Sequence, residues 1–160
     1  MRDFEGLVRR LVDAGVEFAL VGGFAAVAHG ASRPTRDIDI CCPVTEQNLA
    51  ALLLALRGLN PCFRSTPARP RLPGSVEELK GFKRLYLDTD LGELDVLDEI
   101  AGVGGFEAVR AHSVQLELWD RRVWVLDLDA LIAAKRALGR EKDREALREL
   151  ELLRAKLEEP

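Results

Sequence analysis

Apolar and polar positions recur along this chain with two different periods, and the switches between them divide it into elements. Phe4, Leu7, Val8, Leu11 and Val12 return at helical spacing, which predicts an amphipathic helix over residues 3–14. Gly15 stands where a C-terminal glycine would stop it. Glu17 to Val21 predicts a short apolar strand running into Gly22-Gly23, followed by a helix from Phe24 to His29 that closes at Gly30. After a connection containing Pro34, period two takes over in Asp37-Ile38-Asp39-Ile40, predicting a strand to Cys42. Thr45 is placed to cap an apolar helix from Glu46 to Arg57, ended by Gly58.

Residues 61–74 hold four of the seven prolines together with Arg64, Arg69 and Arg71, and read as a basic loop. A strand from Phe82 to Asp88, a turn at Asp90-Leu91-Gly92 and a strand from Glu93 to Leu97 make a β-hairpin. A break over 101–105 and a single helical turn at Phe106–Ala108 lead to two short strands, Val114–Leu118 and Arg122–Leu126. Asp127 or Asp129 then caps a helix to Leu138; Gly139 interrupts it, and helix resumes from Lys142 to Lys156 with Leu147, Leu150, Leu153 and Leu157 as its apolar stripe. The order of elements predicts an α/β (α+β) fold: a mixed β-sheet flanked by helices, with a C-terminal helical pair.

Composition adjusts this picture only at its margins. A chain of 160 residues, 48% apolar and 31% charged, is sized for one domain with a real core. A net charge of −4 argues against general nucleic-acid binding, which needs a basic surface, while leaving room for a local basic groove. Cys41, Cys42 and Cys62 are odd in number, have no metal-ligand spacing and read as buried, reduced thiols. No apolar run reaches the roughly 18 residues of a membrane span, and the charged start Met1-Arg2-Asp3-Phe4-Glu5 lacks a signal-peptide core, so a cytoplasmic location is expected.

The chemistry concentrates in the period-two segment. Alternate strand residues share a face, so Asp37 and Asp39 point the same way, about 6.6 Å apart along the backbone, with Ile38 and Ile40 opposite. In Glu93-Leu94-Asp95-Val96-Leu97, Asp95 sits mid-strand between apolar residues, a costly place for an unpaired charge. Three such carboxylates form a hard oxygen site suited to Mg²⁺ or Mn²⁺, and two ions in it would serve phosphoryl chemistry. The alternative is structural ion pairing with Arg33, Arg36 or Lys83. Gly22-Gly23 leaves backbone N–H groups free at a helix N-terminus for a phosphate, or serves only as a tight turn. His29 reads as a packed histidine, His112 as a surface residue, and Trp119 and Trp124 as packing residues. Lys135 is either solvated or part of a site. The charge run from Arg140 to Arg148 alternates in sign like a solvated helix face. The three loop arginines are either an ordinary surface or an attraction for a polynucleotide acceptor.

Taken in order, three segments resemble the nucleotidyltransferase superfamily with the polymerase-beta-like fold. More closely, they resemble its small bacterial toxin-like branch of the AbiEii and MenT kind. They are the strand with Gly22-Gly23 leading to Arg33-x-Thr35-x-Asp37-Ile38-Asp39, the third-acid strand around Asp95, and Leu131-Ile132-x-x-Lys135 with Gly139-Arg140-x-Lys142-Asp143. The resemblance implies a nucleotidyltransferase core over residues 1–126 and a C-terminal helical segment over 127–160 packed on the same domain. It implies transfer of a nucleoside monophosphate from a nucleoside triphosphate to a hydroxyl on an RNA end or a protein side chain, with Mg²⁺ or Mn²⁺ as cofactor. A cognate antitoxin protein is the further partner it suggests. Asp37, Asp39 and Asp95 would be the metal ligands and catalytic residues; Gly22, Gly23, Arg33, Thr35, Lys135, Arg140, Lys142 and Asp143 would belong to the nucleotide site. The superfamily more often has Gly-Ser where this chain has Gly22-Gly23, so a non-catalytic nucleotide-binding or interaction module on the same fold stands as the alternative.

Overall fold

The computed structural model describes residues 2–159. In chain order the elements are α1 (Phe4–Asp13), β1 (Ala19–Val21), α2 (Gly22–Ala28), β2 (Asp37–Cys41), α3 (Glu46–Ala55), β3 (Cys62–Phe63), α4 (Val76–Leu79), β4 (Arg84–Thr89) and β5 (Gly92–Leu97). There follow β6 (Glu99–Ile100), β7 (Gly104–Gly105), α5 (Phe106–Ala111), β8 (Ser113–Leu118), β9 (Arg121–Leu126), α6 (Leu128–Leu138) and α7 (Arg144–Leu157).

Local chemistry accounts for most boundaries. The Asp3 carboxylate accepts the Gly6 N–H at 2.8 Å and caps α1. Thr45 does the same for α3, accepting the Asn48 N–H at 3.1 Å. Asn48 is itself buried, and its amide bonds Glu17 N–H (2.7 Å), Glu17 O (3.0 Å) and Pro43 O (3.0 Å), tying the approach to β1 onto α3. With every polar group matched, this buried amide fixes the pairing of the two segments. Asp127 caps α6 through the Ala130 N–H at 2.8 Å, and Gly139 ends it in the left-handed conformation at φ +59°.

Seven strands form one mixed sheet in the order β3-β4-β5-β2-β1-β9-β8. β1 runs antiparallel to β2 and parallel to β9; β2 runs parallel to β5; the remaining neighbours are antiparallel. Ile38, Ile40, Leu87, Leu94 and Leu20 are fully excluded from solvent in this sheet, as are Leu7, Leu11 and Leu52 from the helices. Each such side chain contributes about 1.5–3 kcal/mol of transfer free energy. α2 packs against α6, α6 against α7, and α1 against α3. No helix among the described residues is long and apolar enough to cross a membrane.

The structure departs from the sequence expectation in short elements. The basic loop contains β3, which pairs Cys62 with Asp88 and Phe63 with Leu87. Two residues are too few to show a period, and an edge position tolerates the flanking prolines. The four-residue α4 buries Leu79 completely, and the break at 101–105 contains β7, which pairs with β6 just before it. α2 begins at Gly22 rather than Phe24. α5 is longer than one turn, and α7 starts at Arg144 after a 3₁₀ turn over Glu141–Asp143. In the stripe on α7, Leu150 is buried and Leu147 and Leu153 pack against the core, but Leu157 is 72% exposed.

Candidate functional site

The sheet register brings the acids together. Asp39 on β2 is the direct neighbour of Asp95 on β5, Tyr86 on β4 lies beyond Asp95, and Val21 on β1 flanks Asp39 on the other side. A second row, two residues along, holds Asp88, Glu93 and Asp37. Period-two alternation puts both rows on one face, opposite the buried Ile38, Ile40, Leu94 and Val96. One carboxylate oxygen from each of Asp37, Asp39 and Asp95 lies within 4.8 Å of the other two.

Crowding like charges has the expected electrostatic result. Burial first, and then the neighbouring Asp37 and Asp95 carboxylates, push the Asp39 carboxyl up to about 8. Asp95 is also raised by burial, with Arg64 opposing the shift. Asp39 Oδ1 is buried with no hydrogen-bond partner. An unpartnered buried carboxylate oxygen beside two more acids is the donor set a hard divalent cation takes, so these residues fit Mg²⁺ or Mn²⁺.

A cavity of about 310 Å³ opens on this face, lined by Gly22, Gly23, Asp39, Tyr86, Asp95, Lys135 and Arg140 among others. Gly22 has φ +67°, and a Cβ there would run into the Asp39 carboxylate. The chain can therefore turn from β1 into α2 against Asp39 only with glycine at this position. A smaller recess of about 160 Å³ shares Gly22, Gly23 and Lys135 and adds Arg33 and Thr35. A roomier cavity, about 440 Å³, lies between α3 and residues 58–76 and contains no carboxylate.

The remaining sequence candidates divide. Lys135 Nζ donates to Asp143 Oδ1 at 3.0 Å and Arg140 Nε to Asp143 Oδ2 at 2.5 Å, so one buried acid holds both cations at the cavity wall. Burial opposes ionisation of Asp143, but the hydrogen bonds from Arg140 and Lys135 outweigh it and hold the carboxyl below its usual range. The Thr35 hydroxyl donates to Asp37 O at 3.0 Å and lies 3.1 Å from where a Gly23 Cβ would stand, so it is the hydroxyl beside that glycine. Arg33 is exposed and reaches Glu145 at 3.6 Å, not the acids. Lys142 is exposed and lines neither recess. His29 packs with Nε2 2.9 Å from Leu126 O, and His112 is exposed. Trp119 stacks on Phe24, and Trp124 lies under Arg110.

One site residue was missed. Arg64, read as part of a loop, follows β3 and donates from Nη2 to Asp95 Oδ1 at 2.7 Å. Asp95 thus pairs with Arg64, and Asp88 with Arg69, rather than with Arg33, Arg36 or Lys83. Its only trace in the sequence is that Arg64 continues past Cys62-Phe63, and that trace means nothing until β3 is paired with β4. The chain matches no family model, and no curated protein matches it.

Proposed function

We propose that the chain is a metal-dependent nucleotidyltransferase with a polymerase-beta-like fold. The observation that carries the reading is the convergence of Asp37, Asp39 and Asp95, with Asp39 Oδ1 buried and unpartnered, on a cavity that Gly22-Gly23 and Lys135 also line. Asp37, Asp39 and Asp95 would hold Mg²⁺ or Mn²⁺. Such an ion supplies charge neutralisation on phosphate oxygens and a lowered pKa for a bound hydroxyl.

The protein's own groups then divide the work. Gly22 and Gly23 allow a triphosphate to approach the backbone, and Lys135 meets its oxygens as Asp143 keeps the ammonium in place. Arg140 closes the same wall. The Asp95 oxygen not held by Arg64 accepts the proton of the attacking hydroxyl. The acceptor oxygen bonds to the α-phosphorus, the bond from that phosphorus to the bridging oxygen breaks, and pyrophosphate leaves with the electron pair. The acceptor is a hydroxyl on an RNA end or a protein side chain.

The test is incubation with each α-labelled nucleoside triphosphate, Mg²⁺ and total cell extract, followed by separation of RNA-bound from protein-bound label. Transfer with release of pyrophosphate is expected, and its loss in Asp37→Asn and Asp39→Asn. Nucleotide binding without transfer favours a non-catalytic module; undiminished transfer by both variants overturns the assignment.

A further inference from the structure

We infer that Arg64 is a positioning residue that fixes which oxygen of Asp95 faces the metal-binding acids, an inference that rests on the nucleotidyltransferase reading. The guanidinium is anchored by groups other than the acids. Its own backbone N–H donates to Tyr86 O at 2.8 Å, which places Arg64 beside β4 at the end of the row Tyr86, Asp95, Asp39. Nη1 donates to Leu87 O at 2.8 Å, and the guanidinium carbon lies 5.9 Å from the Tyr86 ring centroid.

A planar group held in this way has one direction left for Nη2, and it points at Asp95 Oδ1, 2.7 Å away. Nε stands 3.9 Å from Glu93 Oε2, so the same guanidinium lies over the next acid on β5. The side chain is 23% exposed and that of Asp95 12%, which limits competition from water for this charge-assisted bond. Guanidinium does not deprotonate in proteins, so the donor side of this contact does not depend on pH. One oxygen of Asp95 is therefore committed to Arg64, leaving the other for the centre it shares with Asp37 and Asp39.

The fixed cation has a second effect of opposite sign. Arg64 repels any divalent ion bound by Asp95, since like charges a few ångströms apart in a partly buried site are weakly screened. Removing it should tighten metal binding and slow transfer at once. A role confined to stability does not produce that pairing.

The experiment compares wild type, Arg64→Ala and Arg64→Lys by Mn²⁺ titration calorimetry at pH 8.5, thermal melting and transfer kinetics. For Arg64→Ala we expect Mn²⁺ affinity about threefold tighter or more. We also expect kcat lowered about tenfold or more, with KM for the nucleotide nearly unchanged. Arg64→Lys restores the wild-type Mn²⁺ affinity but not kcat, because an ammonium cannot bridge Leu87 O and Asp95 with the fixed fork of a guanidinium. Unchanged or weakened Mn²⁺ affinity in a folded Arg64→Ala overturns the inference, as does full recovery of kcat in Arg64→Lys. A wild type that binds Mn²⁺ but transfers no nucleotide defeats the transfer reading alone, because the calorimetric comparison still judges Arg64.

Discussion

Gly22 and Asp39 occupy adjoining space so closely that the absence of a side chain on one is the condition for the placement of the other. Gly22 carries φ +67°, and an added Cβ would collide with the Asp39 carboxylate. Gly15 has φ +81° with nothing near its Cβ position. The two glycines separate backbone strain from steric conflict. Gly15→Ala should cost about 1 kcal/mol in urea unfolding and leave Mn²⁺ binding intact. Gly22→Ala adds the clash, for a loss of about 2–4 kcal/mol, and moves Asp39 enough to abolish Mn²⁺ binding.

The raised Asp39 carboxyl makes the metal-free protein sensitive to alkali. Its carboxyl titrates at about 8 in the folded state against an ordinary 3.8. Below pH 3.8 the folded and unfolded states are both protonated and the contribution is complete. Between the two values only the folded state holds the proton, so stability falls as pH rises, by at most about 1.4 kcal/mol per pH unit. Denaturant midpoints in chelator should decline from pH 5 to pH 8, and Asp39→Asn should flatten the decline. Saturating Mn²⁺ should raise the midpoint more at pH 8.5 than at pH 6, because binding displaces a proton at the lower pH.

Asp143 is expected to act on substrate affinity through Lys135 and Arg140. Asp143→Ala releases both cations from the cavity wall, so KM for the nucleotide should rise about tenfold with a smaller change in kcat. The two partners are partly exposed and regain water, which keeps the stability loss near 1–2 kcal/mol. The Asp143 carboxyl is held below its usual range. Its stabilising contribution is present above pH 3.8 and disappears as pH falls through the folded-state value, so Asp143→Ala should differ least from wild type in acid.

The three thiols should respond unequally to alkylation. Burial pushes Cys41 and Cys42 up to about 12, assisted by nearby acids. Cys62 is half-buried, with Arg69 Nη2 3.8 Å from its sulfur. Mass spectrometry after iodoacetamide treatment of the native protein should show one modification, at Cys62, and three after unfolding.

How far the sequence discloses this molecule depends on the range of the interaction. Asp37 and Asp39 announce a shared face because two residues of separation define it, and Thr45, Asp127 and Gly15 announce helix ends because caps are local. Asp95 is visible for the same reason: a charge amid alternating apolar residues needs a partner. That β5 lies parallel beside β2, with Asp95 opposite Asp39, is a matter of register between distant segments, and no local pattern encodes it. Arg64 is hidden more deeply, because its role depends on a two-residue strand and on Leu87 O as anchor. Lys142 illustrates the converse. Its place in the run Arg140 to Asp143 suggests a site residue, but the 3₁₀ turn sets Asp143 against Lys135 and Arg140 and leaves Lys142 exposed.

The parallel docking of β2 on β5 also determines when, during folding, the carboxylates meet. Ile38 and Ile40 share β2 with the aspartates, Leu94 and Val96 share β5 with Asp95, and all four are buried. The contact joins segments separated by α3, β3, α4 and β4, so it is costly in loop entropy and slow to form. The apolar side draws the strands together, and the acids enter register on the opposite side as a consequence. Their mutual repulsion belongs to the docked register, so its relief should be read in the unfolding rate. A divalent ion held by these acids would act on the same term and should slow unfolding.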